Sequence, residues 1–375
     1  MKRVVGERGA TGMRCWAEVD VGALRHNLRA LRRIAGRGMG LIPAIKANAY
    51  GHGVGIVGPV LAREGGVSML GVANVSEALE VGRLGVRTPI LILGACLKDE
   101  VGEVIRGGFE PMISSVEEVG WFDAAARRAG CRARVHVKVD TGMGRLGVWH
   151  EEAMGLLEKV AEAKALRMAA VCTHFACADS DAAFTRRQWG RFEKVRAMVG
   201  RRWPAVRFHA ANSAALLGFP EMRSDMARPG IALYGASPSR RFSGSLRPVM
   251  TWKVRVTLVR EVEPGRTLSY GATFTAPRRM RVAVVAVGYG DGYARAWSNR
   301  GTMLVNGRRC PVVGRVTMDQ TLLDVTRAGD VRPGDPVVLM GPGLPVEELA
   351  RGLKTISYEV FTDIGGRVSR VAVGE

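Results

Sequence analysis

The feature that most limits how this chain can fold is a repeated change of hydrophobic period between residues 20 and 235. Short apolar runs alternate there with longer stretches whose apolar positions recur every three or four residues. Asp20 precedes Val21, Leu24, Leu28 and Leu31, a helix face with an aspartate cap, and Gly36 stops it. Residues 41–47 then read as a strand. Further strands are expected at 69–73, 90–93, 111–113, 134–140, 168–174, 207–209 and 226–232, with helical runs between nearly all of them. Strands joined through helices pair in parallel. Eight of them imply an α/β fold with an N-terminal (β/α)8 TIM-type barrel. A doubly wound open sheet is the alternative, because strand order is not written in the pattern.

After residue 245 the helical period stops. Trp252, Val254, Val256 and Leu258 alternate with Lys253, Arg255 and Thr257, and strands are expected at 281–287, 303–305, 312–316, 321–325 and 337–340. Asn306-Gly307 is a hairpin-turn pair, and only residues 346–353 read as a helix. The expected division is a barrel over 13–244 and a mostly β domain over 245–375.

Composition narrows the function classes. No apolar run is long enough to span a membrane. The first twenty residues hold Arg, Glu and Asp and no apolar core segment, so no secretory signal is expected and the expected location is cytoplasmic. The six cysteines form no CxxC pair and no metal-like spacing, so reduced thiols are expected, with no metal site. The net charge is +20, yet basic residues such as Arg32, Arg33, Arg127, Arg128, Arg201 and Arg202 are spread along the chain. They are not gathered into a basic arm interleaved with aromatics, which argues against a nucleic-acid partner.

In such a barrel the active site lies at the C-terminal ends of the strands. Lys46 ends the first strand, although lysine is seldom placed in a core. In 134–140, Val135, Val137 and Val139 share one face, while His136, Lys138 and Asp140 share the face that would point inward. The loop TGMGRLG, carrying Arg145, follows that strand. His174, His209, Asn212, Ser213 and Arg228 lie at later strand ends. A lone strand-end lysine is usually solvated, and a lone histidine usually has a structural role. Convergence of so many cationic and polar groups on one mouth makes the joint structural reading weak. A desolvated lysine among other cations has a lowered pKa and becomes a nucleophilic amine. Tyr50, Ser213 and the N–H groups of Gly230 and Ile231 could hold a phosphate. Together these suggest pyridoxal phosphate.

With those residues in view, the chain resembles the alanine racemase family of fold-type III pyridoxal-phosphate enzymes. AIKANAYGHG, VKVDTGMGRLG, HFACAD, HAANSAA, ARPGIALYG, SYGATFTA, VGYGDGY and GRVTMDQ follow one another in the family's order. The resemblance implies interconversion of L- and D-alanine by two bases, Lys46 and Tyr270, supplying D-alanine for peptidoglycan. It implies that Lys46 carries the cofactor, that Arg228 faces its ring nitrogen, and that Arg145 lies near its phenolic oxygen and the substrate carboxylate. It implies that Tyr50, Ser213, Gly230, Ile231 and Tyr358 hold the phosphate and that His174 supports Arg228. Tyr289, Met318 and Asp319 would shape the substrate pocket across a homodimer, as Tyr270 would supply the base. Lys138 matches a lysine that many members carry as a carbamate. Thr317 stands where the family often has cysteine, and the match loosens beyond Tyr358.

Physical chemistry agrees with two bases, because one side chain cannot reach both faces of a carbon. The alternatives are a serine or broad-specificity racemase of the same fold, a fold III amino-acid decarboxylase, a non-enzymatic single-barrel cofactor protein, and a nucleic-acid binder. A decarboxylase has no need of SYGATF or GRVTMDQ. The single-barrel proteins lack a β domain.

Overall fold

The computed structural model describes residues 12–238 and 246–374. Strands stand at all eight positions expected in the first half and are parallel, but the eighth is confined to Met226–Ala227, and Ile231–Tyr234 form a 3-10 turn where its end was expected. Hydrogen-bonded neighbours run Gly40–Leu41, Met226–Ala227, Arg207–His209, Leu166–Cys172, Ala133–Asp140, Glu110–Ile113, Ile90–Ile92 and Leu70–Val72. The ring closes at the first strand. Ala44 N–H donates to Pro229 O on one side, and Ile45 N–H donates to Gly71 O on the other, both at 2.8 Å. The bridges Leu41–Val67 and Ala44–Gly71 complete that seam. The barrel therefore replaces the open-sheet alternative.

Two layers of side chains follow from the strand period. Val135, Val137 and Val139 are buried outward against the helices. Ile42, Met69, Leu91, Met112, Ala170, Cys172 and Met226 fill the barrel interior. Helix starts obey cap chemistry: Asp20, Asn74, Ser115, Asp181 and Asn212 each accept a backbone N–H from the first turn of the helix that follows.

The first strand differs from its expected extent. Extended pairing ends at Ile45, and Ala47, Asn48, Ala49 and Tyr50 take φ values of 51°, 53°, 55° and 51°. That is one left-handed turn built without glycine, and each such residue costs about 1–2 kcal/mol. Nothing in the residue types announces it.

The remaining strands form a second, mixed sheet. Its order is Arg308–Pro311, Thr302–Val305, Pro336–Met340, Met250–Val262, Cys15–Asp20 and Ser369–Val373, with Met280–Val285 and Thr321–Asp324 branching from the long strand. The chain's first strand, Cys15–Asp20, thus pairs with this sheet, antiparallel to Met250–Val262 and parallel to Ser369–Val373. The expected boundary at 244/245 lies outside the described residues. Asn306 and Gly307 form the expected two-residue turn, with φ values of 49° and 72°. The alternation in Met250–Val262 buries Trp252, Val254 and Val256. A register shift between Val256 and Leu258 then turns Leu258 outward, against the expected pattern. Residues 312–316 make only one isolated bridge, Val312–Leu323, instead of a strand. A second helix, Ser357–Thr362, follows the expected Val346–Leu353.

Leu91 is fully buried in the barrel interior. Leu91→Ala should lower unfolding stability by about 2–5 kcal/mol, measured by denaturant titration, because the closed ring cannot collapse around the void.

Candidate active site

Nine sequence-expected residues line one cavity of about 810 Å³ at the C-terminal mouth of the barrel: Lys46, Tyr50, Arg145, His174, Ser213, Arg228, Gly230, Ile231 and Tyr358. Lys138 lines an adjoining space of about 170 Å³ that shares Lys46, Arg145, His174 and Arg228 with the first. The carboxyl-terminal segment reaches this mouth through Lys354, Ile356, Tyr358 and Glu359.

Burial, then the nearby Arg145 guanidinium, lowers the Lys46 amine below its ordinary pKa. The left-handed turn after it is tied down at both ends. Glu77 accepts Ala47 N–H at 2.8 Å and Ala73 N–H at 2.7 Å. Asn48 Oδ1 accepts Val54 N–H at 2.8 Å, and Arg370 Nε donates to Gly51 O at 2.8 Å. These contacts offset the cost of the left-handed backbone. The turn also carries Tyr50 into a stack on Tyr234, with ring centroids 4.9 Å apart.

Arg145 is placed by a carboxylate beneath its loop. Asp140 accepts the N–H groups of Gly142, Met143, Gly144 and Arg145 at 2.7–3.1 Å, so the loop wraps around it. A Cβ at Gly147 would stand 2.9 Å from the Lys138 carbonyl, so this return needs glycine. Burial lowers Lys138 to about 8, and the Arg228 and Arg145 charges act in the same direction.

Arg228 is buried, and its two terminal nitrogens, Nη1 and Nη2, donate to His209 O at 3.0 Å, Thr173 O at 2.6 Å, Ala210 O at 3.0 Å, His174 Nδ1 at 3.2 Å, and His209 Nδ1. The contact with His174 fits its expected supporting role. Behind Arg228 runs a chain through the barrel. A guanidinium can only donate, so His209 Nδ1 accepts. His209 Nε2–H then donates to His136 Nδ1 at 2.8 Å, and His136 Nε2–H donates to Glu110 Oε2 at 2.9 Å. Arg134 donates to Glu110 Oε1 at 2.6 Å. Burial, with Arg228 next in effect, holds His209 well below its usual pKa, and burial also lowers His136. Both rings are therefore neutral, and each has one donor and one acceptor to pass along. Burial alone would raise Glu110, but the bonds from His136 and Arg134 outweigh it and keep the carboxylate ionised.

Ser213 Oγ accepts Gly230 N–H at 2.8 Å and Ala232 N–H at 3.3 Å, which leaves its own proton to donate. Tyr358 lies beside Tyr50, with centroids 5.9 Å apart. Burial raises Tyr358 to about 12 and raises Tyr50 further, so both phenols keep their protons.

The remaining four expected residues do not line this cavity. Tyr270 is 72% exposed, Met318 53% and Tyr289 44%, and Asp319 is exposed in an ion pair with Arg367. They belong to one contiguous patch of the second domain. The Tyr270 turn packs on Gly314 and Arg315, and Tyr289 and Gly290 N–H groups donate to Thr317 O and Met318 O at 3.0 and 2.9 Å.

A family profile described as "Alanine racemase, N-terminal domain" matches residues 19–238, and "Alanine racemase, C-terminal domain" matches 249–372. The chain belongs to the alanine racemase family. A curated alanine racemase of Symbiobacterium thermophilum is 43% identical over 97% of this chain and 98% of its own. That of Desulfosudis oleivorans is 42% identical, covering 95% and 96%. Among solved structures, the Clostridium difficile alanine racemase superposes with a TM-score of 0.92 at 33% identity, covering 96% of each chain. The Bartonella henselae alanine racemase, described with covalently bound pyridoxal phosphate, gives 0.88 at 27% identity, covering 96% of this chain and all of its own.

Sequence reasoning missed Glu77 and Glu110, and it named His136 and His209 without linking them into a chain behind Arg228. Glu77 sits in the first turn of a helix, where a glutamate such as Glu118 ordinarily serves the cap. Its position gave no signal of a second task. Glu77→Ala should cut kcat about tenfold or more while the folded spectrum persists, because two backbone donors lose their acceptor beside Lys46. Steady-state kinetics with a thermal melt will check it.

Proposed function

We propose that this chain racemises alanine with pyridoxal phosphate, using Lys46 on one face of the substrate Cα and Tyr270 of a second copy on the other, and so supplies D-alanine for peptidoglycan. The observation that carries the two-copy reading is the separation of the two bases. Lys46 lines the buried cationic cavity, whereas Tyr270 stands exposed on the second domain. A homodimer that lays the exposed Tyr270–Tyr289–Met318 patch over the partner's mouth would cover this apolar surface and complete the site.

The residues present fit the cofactor. A Cβ at Gly230 would stand 2.3 Å from the Tyr50 hydroxyl oxygen, so glycine keeps open the space bounded by Tyr50 and Ser213. Two protonated phenols and the Ser213 hydroxyl are donors suited to a phosphate. Lys46, with its lowered pKa, is suited to hold the aldehyde carbon. Pyridoxal phosphate, when bound, supplies the electron sink that makes the Cα proton acidic.

The protein's part is proton handling and orientation. Lys46 Nζ, neutral more often than an ordinary lysine, would take or return a proton on its side. The Tyr270 hydroxyl of the partner subunit would do the reverse on the other. Arg145 would hold the substrate carboxylate, with Tyr289, Met318 and Asp319 of the partner subunit shaping the pocket. Arg228 keeps its proton, so it would present a donor to the ring nitrogen and leave that nitrogen unprotonated. The neutral His209–His136 pair behind it offers no proton to change this. A weaker electron sink would restrain side reactions such as transamination.

Purified protein should racemise L- and D-alanine, read by circular dichroism, and pyridoxal phosphate should restore activity after its removal. Preference for serine across an amino-acid panel would assign the broader alternative. Lys46→Ala and Tyr270→Ala should each be inactive, and their mixture should regain part of the activity, since one site of a mixed dimer holds both bases. Mixed dimers that form without activity would rule out the shared site.

Lys138 would be carbamylated. With a pKa of about 8, roughly a tenth of the amine is neutral at pH 7, against less than a thousandth for an ordinary lysine. The carbamate's negative charge would face Arg145 and orient it. Carbon-13 labelled CO2 should give a carbamate resonance that is absent in Lys138→Arg. At fixed CO2 pressure the signal should grow as pH rises through about 8, because only the deprotonated amine adds CO2.

A further inference from the structure

The opposite, N-terminal end of the barrel holds a second large concavity, of about 940 Å³. Gly40 begins the first strand there, Ser68 precedes the second, and Arg207 begins the seventh. Five arginines line it: Arg29, Arg32, Arg33, Arg37 and Arg207. No aspartate or glutamate lines it. Among the described residues, Arg29, Arg32, Arg33 and Arg37 take part in no ion pair, although Arg25 on the same helix pairs with Glu64 at 3.1 Å.

Helix chemistry explains only part of this. Arg32 and Arg33 occupy the last turn of Val21–Ala35, where cations suit the helix dipole. Arg37 lies beyond the capping Gly36, and Arg207 comes from a strand 170 positions later. Gathering them here sets like charges in one space that no carboxylate lines among the described residues, and such a concavity concentrates anions. Alanine racemisation uses none of this charge.

We propose that this concavity is a binding site for a linear oligophosphate. Guanidinium groups grip phosphate oxygens in pairs, and several arranged around one space suit a chain of phosphates better than a single one. The volume falls within the usual small-ligand range of roughly 300–1,000 Å³. No phenylalanine, tyrosine or tryptophan lines it, His26 being its one ring, whereas grooves for single-stranded nucleic acid stack successive bases on several aromatic side chains. The phosphate chain is the recognised chemistry, whether free or as the tail of a nucleotide.

Calorimetric titration of the holoenzyme with inorganic tripolyphosphate tests the site while the cofactor fills the catalytic one. Saturable one-to-one binding is expected, weakening as salt is raised from about 50 to 200 mM. Arg33→Gln/Arg37→Gln should weaken it about tenfold, and Arg207→Gln alone should also weaken it without touching the helix end. Arg127→Gln/Arg128→Gln, outside the lining, should not, and alanine racemisation should persist in all three. Competition by ATP supports the site, with the tighter of the two ligands identifying the source of the phosphate chain. Absence of saturable binding, or equal weakening by the Arg127/Arg128 variant, would overturn the proposal. So would tighter binding of a twenty-nucleotide oligothymidylate, which would mark an extended nucleic-acid surface instead.

Discussion

Everything at the catalytic mouth depends on the seam that closes the barrel. Pro43–Ile45 is hydrogen-bonded on both sides, to Gly71 and to Pro229, so the chain leaving this seam has one direction available. Lys46 is the next residue. The left-handed turn that follows is costly backbone, and it persists because Glu77, Val54 N–H and Arg370 hold it from three different segments, Val54 through the Asn48 side chain. Closure of the ring, aim of the amine and placement of Tyr50 are thus one structural event.

The same economy governs the cations. Lys46, Lys138, Arg145 and Arg228 share adjoining space, and among the described residues no carboxylate forms an ion pair with them. Asp140 faces its own loop, and Glu110 lies behind two histidines. Burial and mutual repulsion therefore lower the amines, while Arg228 keeps its charge among carbonyl and imidazole acceptors. A site arranged in this way favours neutral amines and bound anions. These are the two properties that a lysine-held phosphate cofactor requires.

Much of the fold was legible in the chain. Val135, Val137 and Val139 against His136, Lys138 and Asp140 announced both faces of a barrel strand, and Asn306-Gly307 announced its hairpin. The cavity residues were legible through a family order of motifs running from AIKANAYGHG to GRVTMDQ. What failed to show were features with no local signature. The bulge that exposes Leu258 reflects pairing with another strand. The pairing of Cys15–Asp20 with the second sheet is a contact between the chain's two ends.

The sequence by itself determined the periods, the helix caps, the hairpin and the residue types gathered at strand ends, because these depend on neighbours within a few positions. Only the tertiary structure decided which residues meet. It put nine of the expected residues around one cavity and left Tyr270, Tyr289, Met318 and Asp319 on an exposed face. It linked Arg228 to Glu110 through two histidines and drew arginines 170 positions apart to the far end of the barrel. Such meetings depend on how the ring closes and how the second sheet returns, and no local pattern of residues encodes either.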